Sequence, residues 1–473
     1  MSEAAPLHLL RPESTAEPIK LFGEADGFTQ QLRLATQAQR SGRLDEAITS
    51  YLKLLAQKPY NAELHNNLGV ALRLAGKLEA SVEHHRLSLE SDPDNAALHS
   101  NLGNALRAAN RLDEAVKHHF RSVALNRDYA EGYFNLALCL RDLGRIDESV
   151  GCFARALTLM PDNKRARTEF AIALLMRGDL AEGFETYETR KRLPETPAPD
   201  FARPAWDGGP VEGKRILLYP EQGLSDVLLF VRFARELKSR GAEVIVLCQA
   251  PLKELLAGCD YIDAVVAEGE KLPRFDLHAS LVSLPHLLRP DFTQFTAPYL
   301  KPPSESRVRL GRLDKARLRL GIYWAATANQ PNDRRRSVPF EKFLGLTGDP
   351  ELLVFSLQGG VHQQDLQRSG AAGLVHDVGR GIFDFAEAAT ALAQLDLLIS
   401  IDAPIAHLSA AMGIPTWVML PTAADWRWHL GGERTPWYPS ARLFRQSRPG
   451  DWDSVFTRMN DELELLKLHP PRW

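Results

Sequence analysis

The feature that most constrains this chain is a 34-residue period in its N-terminal half. Residues that break helices recur with this period, and each is followed five positions later by a small residue. The breakers are Gly42, Gly76, Asn110, Gly144 and Gly178, and the small residues are Ala47, Ser81, Ala115, Ser149 and Gly183. Such a period predicts stacked pairs of helices, with small residues at the helix crossings and left-handed breakers at helix ends.

The segments GRLDEAITSYLKLLAQKP and NLGNALRAANRLDEAVKHHFRSVALN resemble tetratricopeptide repeats. The resemblance covers residues 27–192 as about five units, the first and last of them degraded, behind an N-terminus of residues 1–26 that we expect to be flexible. It implies an α-solenoid whose concave face is a binding surface.

An asparagine recurs in phase with the repeats, at Asn67, Asn101 and Asn135. Because asparagine is a poor residue for a helix interior, the recurrence predicts a polar ladder along one face. Each amide offers a donor and an acceptor that suit a peptide backbone. The pattern resembles the asparagine ladder of O-linked N-acetylglucosamine transferase. Peptide binding and simple bonding between neighbouring helix ends both remain open.

Two histidine pairs also recur, His84 with His85 and His118 with His119. They occupy the position that is usually aromatic in the second helix of a repeat. This position favours packing over metal binding.

Composition excludes several classes of protein. A chain of 473 residues predicts two to four domains, and a hydrophobic fraction of 44% with 25% charged residues is ordinary for globular proteins. The net charge of −3 gives no indication of nucleic acid or an anionic membrane as partner. No apolar run approaches the roughly 18 residues of a membrane span. The cysteines form no CxxC pair, so we expect reduced core residues in a cytoplasmic protein: Cys139, Cys152, Cys248 and Cys259.

A proline-rich linker, residues 193–213, leads into a strand–loop–helix–strand unit that begins at Lys214 and ends at Gln249. Its loop, EQGLSD, carries neither GxGxxG nor a P-loop. The loop places Asp226 in the first turn of a helix, either as an ordinary helix-start carboxylate or as a general base. The first α/β domain is predicted to span residues 214–303.

The second α/β domain is predicted over residues 304–473, with four strands: Leu318–Ala325, Leu352–Gln358, Leu395–Ile401 and Thr416–Leu420. Arginines 334–336 and Ser337 follow the first of them, where a diphosphate would sit. Asp402-Ala-Pro is expected to cap the helix that carries His407. Ligands bind at the carboxyl ends of parallel strands and helix N-termini favour phosphate, so this turn predicts the donor pocket of a transferase.

The segments YPEQGLSDVLLFVRF, LGIYWAATANQPNDRRRSVPF, VFSLQGG and SIDAPIAHLSAAMGIPTWVMLP resemble the glycosyltransferase family 9 (heptosyltransferase-like) module. The resemblance runs from Arg215 to about Val455, and in bacteria this module is often fused behind tetratricopeptide repeats. It implies a GT-B pair of Rossmann-like domains and inverting transfer from a nucleotide sugar, with no metal and no other cofactor.

The resemblance also implies roles for single residues. Asp226 matches the general base that acts on the acceptor hydroxyl. The donor side is implied for the loop, strand-end and C-terminal residues Gln222, Gly223, Arg336, Ser337, Gln358, Asp402, His407, Trp426 and Arg427. Trp426 and Arg427 belong to an aromatic tail that suits either a pocket rim or a plug between domains.

The sequence departs from the family at three donor-facing positions, Ser225, Ala326 and Ala403. Ala403 lacks a hydroxyl that would bond a phosphate. Three hypotheses therefore stand in this order: a protein glycosyltransferase whose repeats hold a polypeptide acceptor such as a flagellin, a transferase for a saccharide or lipid-linked precursor, and a catalytically weakened interaction scaffold.

Overall fold

The computed structural model describes residues 27–194, 199–293, 295–304, 308–310, 318–326 and 336–468. Contacts between residues divide the described chain into two compact units. One runs from Gly27 to Leu174 and is entirely helical, and the other runs from Leu175 to Leu468 and contains two parallel β-sheets.

The repeat region is a series of antiparallel helix pairs, and an odd-numbered helix opens each pair. The helices are α1 Gly27–Arg40, α2 Leu44–Gln57, α3 Ala62–Leu74, α4 Leu78–Ser91, α5 Ala96–Ala108, α6 Leu112–Leu125, α7 Ala130–Asp142, α8 Ile146–Leu159, α9 Lys164–Arg177 and α10 Leu180–Tyr187. The division between units falls within α9, so α10 belongs to the second unit.

The predicted positions of the helix breakers and of the small residues at the helix crossings are confirmed. All five breakers have positive φ, from 60° at Asn110 to 100° at Gly178, which ends the first helix of each pair. The small residues are buried where the helices of a pair cross. At two crossings a serine also ties the helices together, since Oγ of Ser81 donates to the Gly69 carbonyl and Oγ of Ser149 donates to the Ala137 carbonyl, both at 2.7 Å.

His85 and His119 fill the aromatic position as expected, and both rings are buried. Each packs on a glycine of the preceding helix, where a Cβ on Gly69 would lie 2.7 Å from the His85 ring and one on Gly103 2.6 Å from the His119 ring. Burial first, and then a nearby arginine charge, lowers the pKa of each histidine to about 3.

The other histidine of each pair bonds to a neighbour. Nδ1 of His84 lies 2.9 Å from Nδ1 of His65, whose Nε2 lies 2.8 Å from the Pro59 carbonyl. A carbonyl only accepts, so Nε2 of His65 donates to Pro59. His99 and His118 repeat this geometry, with their Nδ1 atoms 3.0 Å apart.

The first sheet of the second unit has four parallel strands in the order β3-β2-β1-β4. They are β1 Arg215–Tyr219, β2 Glu243–Cys248, β3 Ala264–Ala267 and β4 Leu277–Ser280. The two long strands agree with the prediction. The stretch Phe275–Leu284 also predicts a strand from its sequence, but only its middle forms β4, and the chain continues as helical turns.

The second sheet has six parallel strands in the order β10-β9-β8-β5-β6-β7. They are β5 Leu318–Tyr323, β6 Leu352–Ser356, β7 His376–Asp377, β8 Leu397–Ile401, β9 Thr416–Leu420 and β10 Ala441–Arg445. Central strands β8 and β9 are buried along their whole length, as parallel strands covered on both faces are.

The helices of this unit are mostly short. They are α11 Leu224–Phe230, α12 Ala234–Ser239, α13 Lys253–Ala257, α14 Leu284–Leu288, α15 Leu344–Thr347, α16 Asp365–Arg368, α17 Phe385–Leu392, α18 Pro404–Ala411 and α19 Trp452–Leu468. The amphipathic helix expected after β1 is divided into α11 and α12 by a 3₁₀ turn. None of the helices described here is long and apolar enough to cross a membrane.

Candidate functional site

Three predicted donor-side segments meet at one edge of the second sheet. Strand β5 pairs with β6 on one side and β8 on the other, so their carboxyl ends lie next to each other. Trp324 follows β5, Gln358 lies two residues beyond β6, and Asp402 follows β8 directly. This is the edge at which parallel sheets bind ligands.

Gln358 holds the β5 end through its side-chain amide. Oε1 accepts from the backbone N–H groups of Trp324 and Ala325 at 3.1 and 2.9 Å, and Nε2 donates to the carbonyls of Ala325 and Gly359. The side chain is buried. Its hydrogen bonds therefore position the loop, rather than leaving the amide open to a nucleotide.

The predicted basic element lies beside Asp402. Nη1 of Arg336 donates to the Asp402 carbonyl at 3.3 Å, and Oγ of Ser337 accepts from the N–H of Ala326 at 3.2 Å. Arg334 and Arg335 lie outside the described residues.

Asp402 and His407 face each other across the start of α18. The helix is capped by Ala403, whose side chain accepts no hydrogen bond, so the expected Asp402 side-chain cap is not formed. Oδ1 of Asp402 lies 3.7 Å from Nε2 of His407, and this carboxylate is 15% exposed while the imidazole is fully buried. Burial alone would raise the pKa of Asp402, but contacts with His407 and the charge of Arg336 hold it below its ordinary value.

Tyr438 contacts the other side of the His407 ring. Its hydroxyl lies 2.9 Å from Nδ1, and the Trp428 indole lies over the ring with centroids 4.6 Å apart. Among the described residues, neither Nε2 of His407 nor Nε1 of Trp428 has a hydrogen-bond partner. Two buried polar nitrogens near a carboxylate are unusual because buried polar groups are nearly always bonded.

The predicted base, Asp226, is in an ion pair. It lies in the first turn of α11 and is 2% exposed. Arg427 donates to its Oδ1 from Nε at 2.8 Å and from Nη2, and also bonds Oε1 of Gln222 and Oδ1 of Asp425. Burial raises the pKa of Asp226, and the Arg427 charge opposes that rise.

The remaining predicted residues of this region have structural surroundings. Gly223 is the N-cap of α11, in an extended conformation that any residue adopts. Nε2 of Gln222 donates to the Tyr187 hydroxyl at 2.8 Å. Trp426 is buried in an aromatic cluster with Phe184 and Phe230. This burial favours the interpretation of the aromatic tail as a plug over its interpretation as a pocket rim.

Helices α11 and α18 pack against each other, which brings Asp226 close enough for the His407 charge to act on its pKa. The second unit thus gathers one acidic, basic and aromatic cluster from both sheets. Sequence reasoning missed Tyr438 and Asp425 in it. The only signal for Tyr438 was its place in the PWYP segment, which says nothing about a histidine 31 positions away.

The asparagine ladder lies in the other unit and is half-buried. Nδ2 of Asn101 donates to Oδ1 of Asn66 at 2.9 Å, and Nδ2 of Asn135 donates to Oγ of Ser100 at 3.1 Å. One N–H of each amide therefore joins neighbouring repeats. Within the described part of the chain, the Asn67 side chain makes no hydrogen bond, so bonding between helices accounts for only part of the ladder.

No group of three or more metal-ligating side chains occurs among the described residues.

Family models of the tetratricopeptide repeat match residues 40–75, 97–131 and 130–163. The chain therefore carries tetratricopeptide repeats, followed by a parallel-sheet α/β region. Such repeats are a scaffold for protein interaction.

A curated relative is Protein FlbA of Caulobacter vibrioides, 27% identical over 331 residues. The match covers 62% of this chain and 54% of the relative. The chain thus spans about half the length of the curated relative it matches.

Solved structures of repeat proteins are also similar to part of the chain. The MamA crystal structure is 23% identical, with 35% of this chain and 90% of that chain covered and a TM-score of 0.31. PilF of Pseudomonas aeruginosa is 20% identical, with 35% of this chain and 75% of that chain covered and a TM-score of 0.33. YrrB, described as a repeat protein with an unusual peptide-binding site, is 19% identical, with 36% of this chain and 92% of that chain covered and a TM-score of 0.30.

Proposed function

We propose that this chain is a glycosyltransferase that moves a sugar from a nucleotide-sugar donor to a polypeptide acceptor held by its repeats. The GT-B arrangement, the inverting course and the independence from metal follow from the resemblance to the glycosyltransferase family 9 module. The repeats supply the protein-binding half of the proposal.

One observation carries the transferase half: the Asp402–His407 pair at the carboxyl edge of the second sheet, beside Arg336. Nε2 of His407 and Nε1 of Trp428 are buried and make no hydrogen bond of normal length among the described residues, although both act on the nearby Asp402 carboxylate. The N-terminus of α18 adds a partial positive charge at the same place. Donors of this kind suit a diphosphate, whose oxygens accept several hydrogen bonds.

In the proposed reaction, Asp226 takes the proton of the acceptor hydroxyl while that oxygen bonds to the anomeric carbon. The bond from this carbon to the diphosphate breaks, and its electron pair leaves with the diphosphate. Arg336 and the helix dipole stabilise the charge that develops there. The Arg427 charge opposes the rise that burial causes in the pKa of Asp226, and the base acts when the acceptor displaces this guanidinium from Oδ1.

A non-catalytic interaction scaffold is the second candidate. The observation that favours it is the ion pair itself, because Nε and Nη2 of Arg427 both bond Oδ1 of the buried Asp226, an oxygen that would have to accept the proton. The loss of a hydroxyl at Ala403 acts in the same direction. In this reading the cluster stabilises the fold and the repeats alone bind a partner.

The test is binding and turnover with a panel of UDP-, GDP-, ADP- and CMP-sugars. Calorimetry on the full chain measures affinity, and release of free nucleotide measures turnover. We compare the wild type with Asp226→Asn, His407→Ala and, as matched control, Glu236→Gln, which removes an exposed carboxylate of α12.

The transferase predicts binding of one nucleotide class, loss of binding in His407→Ala, and retained binding without turnover in Asp226→Asn. The scaffold predicts no binding of any member of the panel. Turnover that persists unchanged in Asp226→Asn would overturn the assignment of the base while leaving the donor site intact.

A further inference from the structure

The repeats carry a second periodic set of side chains, the arginines Arg73, Arg107 and Arg141. Each lies in the last turn of the first helix of its repeat, α3, α5 and α7. They share the helices of the asparagine ladder, six positions further along each helix. Six positions are about 1.7 turns of helix, so Arg73 lies farther along α3 than Asn67 and to one side of it.

Two of these arginines are paired with an acid of the next repeat. Nε of Arg107 lies 2.7 Å from Oδ2 of Asp142, and Nη1 of Arg141 lies 2.6 Å from Oε2 of Glu169. Asp142 ends α7, and Glu169 occupies the next slot of the asparagine ladder, on α9. A carboxylate at either of two places in the following repeat thus satisfies an arginine.

Arg73 lacks both. The place equivalent to Asp142 holds Ala108, and the ladder slot of the following repeat holds Asn101. Arg73 is half-buried, and its guanidinium makes no ion pair or hydrogen bond with any residue that the structure describes. Burial, and then the charge of neighbouring Arg107, lowers the pKa of Arg73, which records an unfavourable position for a cation.

A half-buried guanidinium without a counter-ion is available to bind an anionic group of a partner. It has lost part of its hydration, and its fork of donors fits a carboxylate in two parallel hydrogen bonds. On the same helix, the Asn67 side chain is unbonded within the described residues. In the following repeat, Oδ1 of Asn101 is not used by the Asn66 contact, which employs Nδ2. These amide groups are suited to the backbone on either side of such a carboxylate.

We propose that the face formed by Arg73, Asn67 and Asn101 binds an acidic segment of a partner polypeptide, with one Asp or Glu carboxylate on Arg73. The partner supplies in trans what Asp142 and Glu169 supply within the chain. This inference rests on the protein-binding half of the proposed function and is independent of the transferase half.

The experiment uses the full chain and two fluorescent peptides of six residues, hexaglutamate and hexaglutamine. Fluorescence anisotropy gives their affinities at low and moderate salt. Arg73→Gln removes the cation, and Ala108→Asp places an internal carboxylate where the next repeat has Asp142. The matched controls are Ala108→Asn, which is neutral and of the same shape, and Arg121→Gln, an exposed arginine of α6.

We expect hexaglutamate to bind at least about tenfold more tightly than hexaglutamine, with an affinity that falls as salt is added. Arg73→Gln and Ala108→Asp should each weaken hexaglutamate about tenfold, and the two controls should stay within about twofold of wild type. Equal binding of the two peptides, or hexaglutamate binding unchanged in Ala108→Asp, would overturn the proposal.

Ala108→Asp also keeps the test valid if Arg73→Gln folds poorly. An internal partner for Arg73 should raise the melting temperature of the repeats, followed by circular dichroism, above that of Ala108→Asn. Because no nucleotide sugar takes part, failure here leaves the transferase proposal untouched, and failure of the sugar panel leaves this one untouched.

Discussion

Arg427 donates from Nε to Oδ1 of Asp226 at 2.8 Å, across 201 positions of the chain. The aspartate belongs to the helix after the first strand of the first sheet, and the arginine belongs to the turn after the last buried strand of the α/β core. Both side chains are buried. This contact therefore holds together the residues on which the proposed chemistry depends.

Replacing Arg427 by methionine should destabilise the second unit by about 3–5 kcal/mol, because it leaves the Asp226 carboxylate buried without its partner. Asp226→Asn in the same chain should recover a large part of that loss. All eight tryptophans lie between Trp206 and Trp473, so their fluorescence during urea unfolding reports on this unit alone.

The control for this prediction is Arg43→Ala, which breaks an exposed ion pair with Glu46 whose side chains are 54% and 56% exposed. It should leave the tryptophan transition in place. A transition equally unchanged in Arg427→Met would mean that the ion pair contributes nothing to the fold.

The buried histidines predict that the repeats lose stability in acid. His85 and His119 have pKa values of about 3 in the folded state, against an ordinary value near 6.5. Between those two values the unfolded chain binds protons that the folded chain does not, so stability is complete above about pH 6.5 and falls as the pH is lowered. Each histidine then contributes a loss of up to about 1.4 kcal/mol per pH unit.

Circular dichroism melts at pH 7.5 and pH 5.0 measure this loss. His85→Phe keeps an aromatic ring in the position and removes the titration, so it should reduce the difference between the two melting temperatures by about half. A difference that stays at the wild-type value in the double variant with His119→Phe would contradict the assignment.

The glycines under these rings predict a contrast between two alanine substitutions. Gly69→Ala places a Cβ 2.7 Å from the buried His85 ring, so it should cost about 1–3 kcal/mol through overpacking. Gly151 lies in the interior of α8 with open space around it, and Gly151→Ala should stabilise that helix by about 0.5–1 kcal/mol. Urea unfolding followed by circular dichroism compares the two, and destabilisation by both would show that the ring contact is not the cause.

The sequence predicted those features of the fold that depend on neighbouring residues in the chain. Strand β9 begins and ends where expected, at Thr416 and Leu420, since Pro415 and a polar loop bound an apolar run. The left-handed positions followed from glycine or asparagine at a fixed period. Strand β7, with only two residues, carries no pattern of its own and forms because β6 offers an edge.

Most contacts of the candidate site depend on how elements distant in the chain pack together, and one pair is the exception. Asp402 and His407 are five positions apart at a strand-to-helix turn, so their proximity was predictable. The contacts of Asp226 with Arg427 and of His407 with Tyr438 depend on how distant elements pack, and no spacing in the sequence predicts them. Likewise, the internal use of the Gln358 amide depends on the path of the neighbouring loop.

The Tyr438–His407 contact predicts how this tyrosine affects ligand binding. If the phenol donates to Nδ1, a proton on Nε2 lies on the side of the Asp402 carboxylate and of the proposed donor pocket. Tyr438→Phe removes only the hydroxyl and frees the ring to change tautomer. Affinity for the nucleotide sugar that the wild type binds should fall about five- to tenfold, with the tryptophan transition in urea close to that of wild type.

Nitrogen-15 chemical shifts of the histidines report the tautomer directly, which a purely structural role of Tyr438 would leave unchanged. Tyr219→Phe, in buried strand β1, is the matched control and should alter neither the His407 shifts nor the affinity. An Nε2-protonated His407 that persists in Tyr438→Phe, with affinity intact, would show that Asp402 alone orients the ring. Loss of affinity with the tautomer unchanged would place the effect of Tyr438 on the packing of Trp428 and not on the proton.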